Sequence, residues 1–315
     1  MHSIYVGARV GIGCPWLSNL VEWSVPGFIV ISGWYGIKFS FAKVLKLYGV
    51  SLYCALVVVL FDLVVDRQAI FGLVSMQTVW HIATEHWFVN SYAVLMLLAP
   101  LVNTAFDAIA EMDAERKKKT LLSICLPVFV LVQIWSFSAA LPWVGAFVPH
   151  YSGINKNSFV TLLAIYVLTR SIRLVVDDQI ISRNLKKIPR RICTIALFGS
   201  LAMAATGMGD INGPFAFVIA LAMFFVFNRM RLPSAIGKLS AVVAPSVFSI
   251  YLFHTNEIAW SHMQTLLRRV LGECDNCFIA YFVVSFVAFA MSFVVDIPIR
   301  VVKYLVRSHF WGRQD

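Results

Sequence analysis

Nine apolar runs, each close to the length a helix needs to cross a bilayer, occupy most of this chain. They lie near 22–37, 47–65, 86–106, 120–140, 158–176, 192–209, 214–228, 239–259 and 278–299. A helix spans the hydrocarbon with about 20 apolar residues, within a range of roughly 17–25. The first and seventh runs are short and require tilt or partial burial. Little polar sequence remains for a soluble shell: of 315 residues, 60% are apolar and 13% charged. An average soluble domain is roughly 45–50% apolar, and a globule of this size has no interior for the excess. Disorder, collagen-like repeats and a disulfide scaffold are excluded by the same composition. The expected fold is all-α: one polytopic transmembrane helix bundle of about nine spans over residues 1–315.

Charge orients the bundle. The formal net charge of +10 is not a nucleic-acid signal, because the basic residues sit in short clusters between apolar runs. With the segment after the first run taken as cytoplasmic and the sides alternating, 21 Lys and Arg fall inside. The outer side keeps five, Arg9, Arg67, Lys156, Arg268 and Arg269. That asymmetry is the positive-inside pattern and predicts a cytoplasmic C-terminus. The basic tail 300–315 suits either a helix lying on the inner leaflet or an ordinary basic helix end. The inner segment 107–119 reads as a solvated helix extension. Met1 is predicted outside, with nothing before residue 22 resembling a signal peptide. The expectation is that a helix belongs ahead of it.

Polar groups inside spans are costly and therefore candidates for chemistry. In the first run, Gly27, Ser32, Gly33 and Gly36 allow close backbone approach, and Lys38 follows at the inner boundary, suited to snorkelling or to an anionic ligand. In the third, Trp87, Phe88, Tyr92, Pro100 and Asn103 read as an aromatic belt with a kink, with Glu85 and His86 at its outer mouth. In the eighth, Tyr251 and His254 share a helix face, and Glu257 follows. The chain lacks a Walker A loop, a GxGxxG fingerprint, an HExxH motif and a GxSxG elbow. Cys274 and Cys277 form an outer CxxC without the second ligand pair of a zinc site; a disulfide between them, or of either with Cys14, is open. Cys54, Cys125 and Cys193 read as packing residues.

These stretches, in this order, resemble the family 3 membrane acyltransferases, which O-acylate extracytoplasmic glycans. FIVISGWYGIK matches a span reading like FFxxSGFL with a basic residue after it, Lys38 standing where an Arg is usual. WFVNSYAVLMLLAPLVN is similar to WFxxxYxxLxxxxPxxN, and SVFSIYLFHTNE to an SxxIYLxH element. The family's first span carries an Arg and then an essential His near its outer end. His2 stands where that His is expected, and the Arg-bearing helix is absent ahead of it.

The resemblance implies a multi-pass protein of the bacterial inner membrane. Its donor is cytoplasmic acyl-CoA, acetyl by default, and its acceptor a surface glycan or lipid-linked saccharide. No permanently bound cofactor, metal or nucleic acid is implied. His2 becomes the catalytic base, since an imidazole suits removal of a hydroxyl proton near neutral pH. Glu22, Glu85 or Glu257 are candidates to orient it. Ser32 and Lys38, with Arg170 and Arg173, are expected on the donor side. Glu85, Trp87, Tyr251, His254 and Glu257 are expected on the acceptor side. A transporter or flippase of a polar solute shares the spans but usually shows inverted repeats, which this chain does not. An inactive scaffold is the third reading, if the missing helix is absent in the cell.

Overall fold

The structure is a computed structural model. It describes residues 23–65, 86–140, 159–176, 190–203, 205, 215–229 and 233–256, then 258–259, 261–262, 265, 269, 282–283, 286–287, 289–291 and 293–301. Within them every regular element is helical. The helices are α1 (Ser24–Tyr35), α2 (Phe41–Val65), α3 (Trp87–Ala110), α4 (Ala114–Ala140), α5 (Phe159–Val175), α6 (Arg190–Met203), α7 (Ala216–Arg229), α8 (Ser234–Val243) and α9 (Val247–Thr255). Each falls on one of the apolar runs, and residues 293–301 continue the helical backbone at the last run. Phe41–Asp62 and Trp87–Ala110 are long and apolar enough to cross a membrane.

Two details depart from the sequence reading. The segment 107–119 is not one helix extension: α3 ends at Ala110 and α4 restarts at Ala114. Asp113 accounts for the restart, its Oδ1 accepting the Arg116 N–H at 2.9 Å as a helix N-cap does. The eighth run is not one continuous helix either. A 3₁₀ turn at Ala244–Ser246, with Pro245 inside it, separates α8 from α9.

The chain divides into two compact units. One contains Cys14–Val44 and Trp87–Arg231. Its centre is α5, which packs against α1, α3 and α4, while α7 joins α1 to α6. Ile29 and Val30 of α1, Leu95 and Ala99 of α3, and Leu162, Ile165 and Tyr166 of α5 are buried. Trp34 meets Phe224 and Phe225 of α7 at centroid distances of 5.1 and 5.5 Å.

The other unit contains Met1–Gly13, Leu45–His86 and Leu232–Asp315. Here α2 packs through Val58 on Ala259, with Met291 and Val295 alongside. Tyr53 reinforces the packing by donating to the Val295 carbonyl at 2.9 Å. Asn256 caps the backbone after α9, its Oδ1 accepting from Ile258 N and Ala259 N.

Candidate functional site

The site grows from the end of α1. Gly36 closes the helix with φ of 78°, a left-handed conformation suited to glycine, and its N–H bonds to the Ser32 carbonyl. The chain then runs non-helically through Ile37 and Lys38 before α2. Along α5, Tyr166, Thr169, Arg170 and Arg173 recur at helical spacing and so lie on one face. Gly33 lets that face approach, because its missing side chain faces Thr169 and the Tyr166 carbonyl.

Two other helices supply the hydrogen bonds that the α1 exit needs. The Tyr166 hydroxyl accepts the Ile37 N–H at 3.0 Å and donates to Asn103 Oδ1 at 2.7 Å. Asn103 Nδ2 donates to the Ile37 carbonyl at 2.9 Å. Both backbone polar groups of Ile37 are thus held by α3 and α5 side chains. Arg173 donates to the Trp34 carbonyl, placing a cation at the negative end of the α1 dipole.

Arg170 has the more exceptional surroundings. Its side chain is 12% exposed and its Nη1 lies beside Gly36. Among the described residues the carboxylate paired with it is Asp107, 75% exposed and 3.7 Å away. That pair is long and solvated, so it contributes little. Arg170 Nε is buried with no hydrogen-bond partner among the described residues. A buried guanidinium N–H without an acceptor is uncommon and calls for an explanation. An oxyanion seated between Arg170 and the Gly36 turn is one that fits the chemistry, since guanidinium binds phosphate oxygens strongly. Lys38, two residues after Gly36, is exposed.

Further along α1, Ser32 Oγ lies 3.3 Å from the Tyr92 hydroxyl of α3. Phe28 meets Phe88 and Tyr92 edge-on, and those two rings stack at 5.6 Å. Trp87 packs edge-on against Phe88. In the other unit, the buried His86 lies 6.2 Å from the Tyr251 ring.

Of the residues expected on the donor side, Ser32 lies in α1 beside Tyr92, Arg173 reaches the Trp34 carbonyl, Arg170 lies beside Gly36, and Lys38 stands on the α1 exit. Of the acceptor-side set, Trp87 belongs to the aromatic group of α3 and Tyr251 pairs with His86. His2, Glu22, Glu85 and Glu257 lie outside the described residues; His254 lies in α9. Sequence reasoning did not single out Tyr166, although it lies one helical turn before Arg170 in the same run. It also passed over the cage around Asp296. That carboxylate is 1% exposed and takes bonds from Ser246 at 2.6 Å, Ser249 at 2.7 Å and Arg300 Nε at 2.7 Å. An acid inside an apolar run with Arg four residues on was the available signal.

A family model described as an acyltransferase domain matches residues 2–300 of the chain. No curated protein and no solved structure matches it at a significant level.

Proposed function

The chain belongs to this acyltransferase family, and on that premise we propose that it carries an acyl group across a membrane-embedded bundle. The donor is cytoplasmic acyl-CoA, acetyl by default. The acceptor is a hydroxyl of an extracytoplasmic glycan or lipid-linked saccharide. The observation that carries the reading is Arg170, whose Nη1 lies beside Gly36 and whose buried Nε has no hydrogen-bond partner among the described residues.

Arg170 and Lys38 hold a phosphate of the donor, Arg170 through its fork of N–H groups and Lys38 as a point charge. Arg173 fixes the end of α1 through the Trp34 carbonyl. Ser32 is assigned to the donor side as well, although the space beside it at Gly33 is filled by α5 and leaves no passage for the thioester arm there. On the far side an imidazole, His2, takes the acceptor hydroxyl's proton as its oxygen attacks the thioester carbonyl carbon. The carbon–sulfur bond breaks, and the departing sulfur recovers the proton from the imidazolium. Trp87, Tyr251, His254, Glu85 and Glu257 are the residues this reading assigns to the acceptor.

The contacts support the multi-pass orientation that charge suggests. Ile37, Asn103, Asp107 and Arg170 all belong to run ends assigned to the cytoplasm, and they meet. Asp62 and His262, both assigned outside, also meet.

The test uses the full-length protein in membranes with radiolabelled acetyl-CoA and purified surface glycan. Label moves to the glycan, and His2→Ala abolishes transfer while donor binding remains. Undiminished transfer by His2→Ala overturns the base assignment, and absence of any label on glycan overturns the acceptor.

A further inference from the structure

One acid lies inside the second apolar run, near its outer end: Asp62 in VVVLFDLVV. An ionisable group there is costly and is retained for a reason. In the structure, His262 Nε2 lies 2.7 Å from Asp62 Oδ1. The two side chains are 27% and 22% exposed, so the pair is neither sealed nor fully solvated. Phe61 meets the imidazole edge-on at 5.5 Å and 88°.

We propose that Phe61, Asp62 and His262 form a subsite that binds neighbouring hydroxyls of the acceptor sugar. This deepens the glycan-acceptor reading above and rests on it. With Nε2–H donating to the carboxylate, His262 Nδ1 is an acceptor, and Asp62 Oδ2 is another. Neither side chain makes a further hydrogen bond among the described residues. Two adjacent acceptors match a pair of hydroxyl donors on adjacent sugar carbons. Phe61 supplies the apolar surface that a sugar ring's C–H face requires.

A helix clamp alone does not account for the pair. The segments are already joined by Val58 against Ala259, and by Ala55 and Val59 against Ile258. Val58 lies one helical turn before Asp62, and Ala259 one turn before His262, so the packed layer is the floor on which the pair stands. Asn256 fixes the start of the His262 segment. Such a rigid mount holds a binding pair in one geometry.

The experiment measures acetyl transfer by the full-length protein in membranes, with acetyl-CoA as donor. The acceptors are a series of methyl glycosides and their monodeoxy analogues. Asp62→Asn and His262→Gln raise the acceptor KM by about tenfold or more, the loss expected for a hydrogen bond to a charged group. The donor KM and the rate at saturating acceptor stay within about twofold of the unchanged protein, because the reacting groups are elsewhere. The unchanged protein discriminates against one monodeoxy analogue, and the variants do not. If Asp62→Asn fails to accumulate, His262→Gln and the analogue series on the unchanged protein still decide the matter. A fall in saturated rate with unchanged acceptor KM overturns the subsite and makes His262 a proton-transfer group. Equal sensitivity to every deoxy analogue in protein and variants also overturns it. If the unchanged protein releases CoA but labels no glycoside, the acceptor reading fails and takes the subsite with it; labelling with variant-insensitive KM sinks the subsite alone.

Discussion

A Cβ placed on Gly33 would stand 2.8 Å from the Cβ of Thr169, with the Tyr166 carbonyl at 3.1 Å. Both neighbours belong to α5, so α1 and α5 approach at this point more closely than any larger residue allows. Gly33→Ala is expected to push the helices apart and to destabilise the fold by about 1–3 kcal/mol, the usual range for overpacking. Ser32→Ala, one position earlier, removes only a 3.3 Å contact to Tyr92 and costs much less. Thermal unfolding of the two variants in detergent checks the contrast; equal midpoints would contradict the close approach.

Arg170→Gln is predicted to raise the donor KM by about tenfold while leaving the acceptor KM unchanged, because a charged hydrogen-bond donor to phosphate is lost. Arg170→Lys recovers only part of the affinity, since one ammonium cannot reproduce the fork. Initial rates with acyl-CoA and acceptor varied separately measure this. A matching rise in both KM values would point to general damage instead.

Tyr166→Phe keeps the buried ring and deletes the hydroxyl shared by Ile37 and Asn103. The variant leaves the Ile37 N–H without its acceptor, at a cost of about 1–3 kcal/mol. The expected signature is a lower melting temperature together with faster proteolysis within residues 36–40. A variant as stable as the parent would show that water or a rearranged Asn103 replaces the bond.

Asp296→Ala strips the shared acceptor from Ser246, Ser249 and Arg300 at once. Removing one partner of a buried pair costs about 3–5 kcal/mol. Asp296→Ala with Arg300→Met is expected to be less damaging than Asp296→Ala alone, because the orphaned cation goes too. A double-variant cycle on detergent melting temperatures gives the coupling. Additive losses would mean that the two side chains do not interact.

The helices were legible because apolar length and basic clustering are properties of composition along the chain. Every described helix falls on a run that could be marked without coordinates. The breaks were less legible. Pro245 lies inside a run read as one span, and whether a chain kinks or restarts at a proline depends on what its neighbours offer. Asp113 was masked by the charged residues around it, and only its cap geometry distinguishes it from them. Arg170 and Arg173 were visible as inner-face cations, yet the N–H without a partner is a property of three helices together. Asp62 and Asp296 carried the clearest unused signal, a carboxylate inside an apolar run. Arg300, four positions from Asp296, was within reach of the sequence, but His262, Ser249 and Ser246, 200, 47 and 50 positions from their carboxylates, follow from packing alone.

The exit of α1 borrows its polar partners from Asn103, Tyr166 and Arg173, all made later in synthesis. When α1 leaves the ribosome, the backbone groups of Trp34 and Ile37 have no protein acceptors or donors of this kind. They can be satisfied in the native way only after residue 173 has been translated and α5 has docked. The turn is therefore a late-maturing joint in an early-made helix. Chains stalled before α5 emerges should leave this joint open to quality-control proteases, whatever the merit of α1 as a helix.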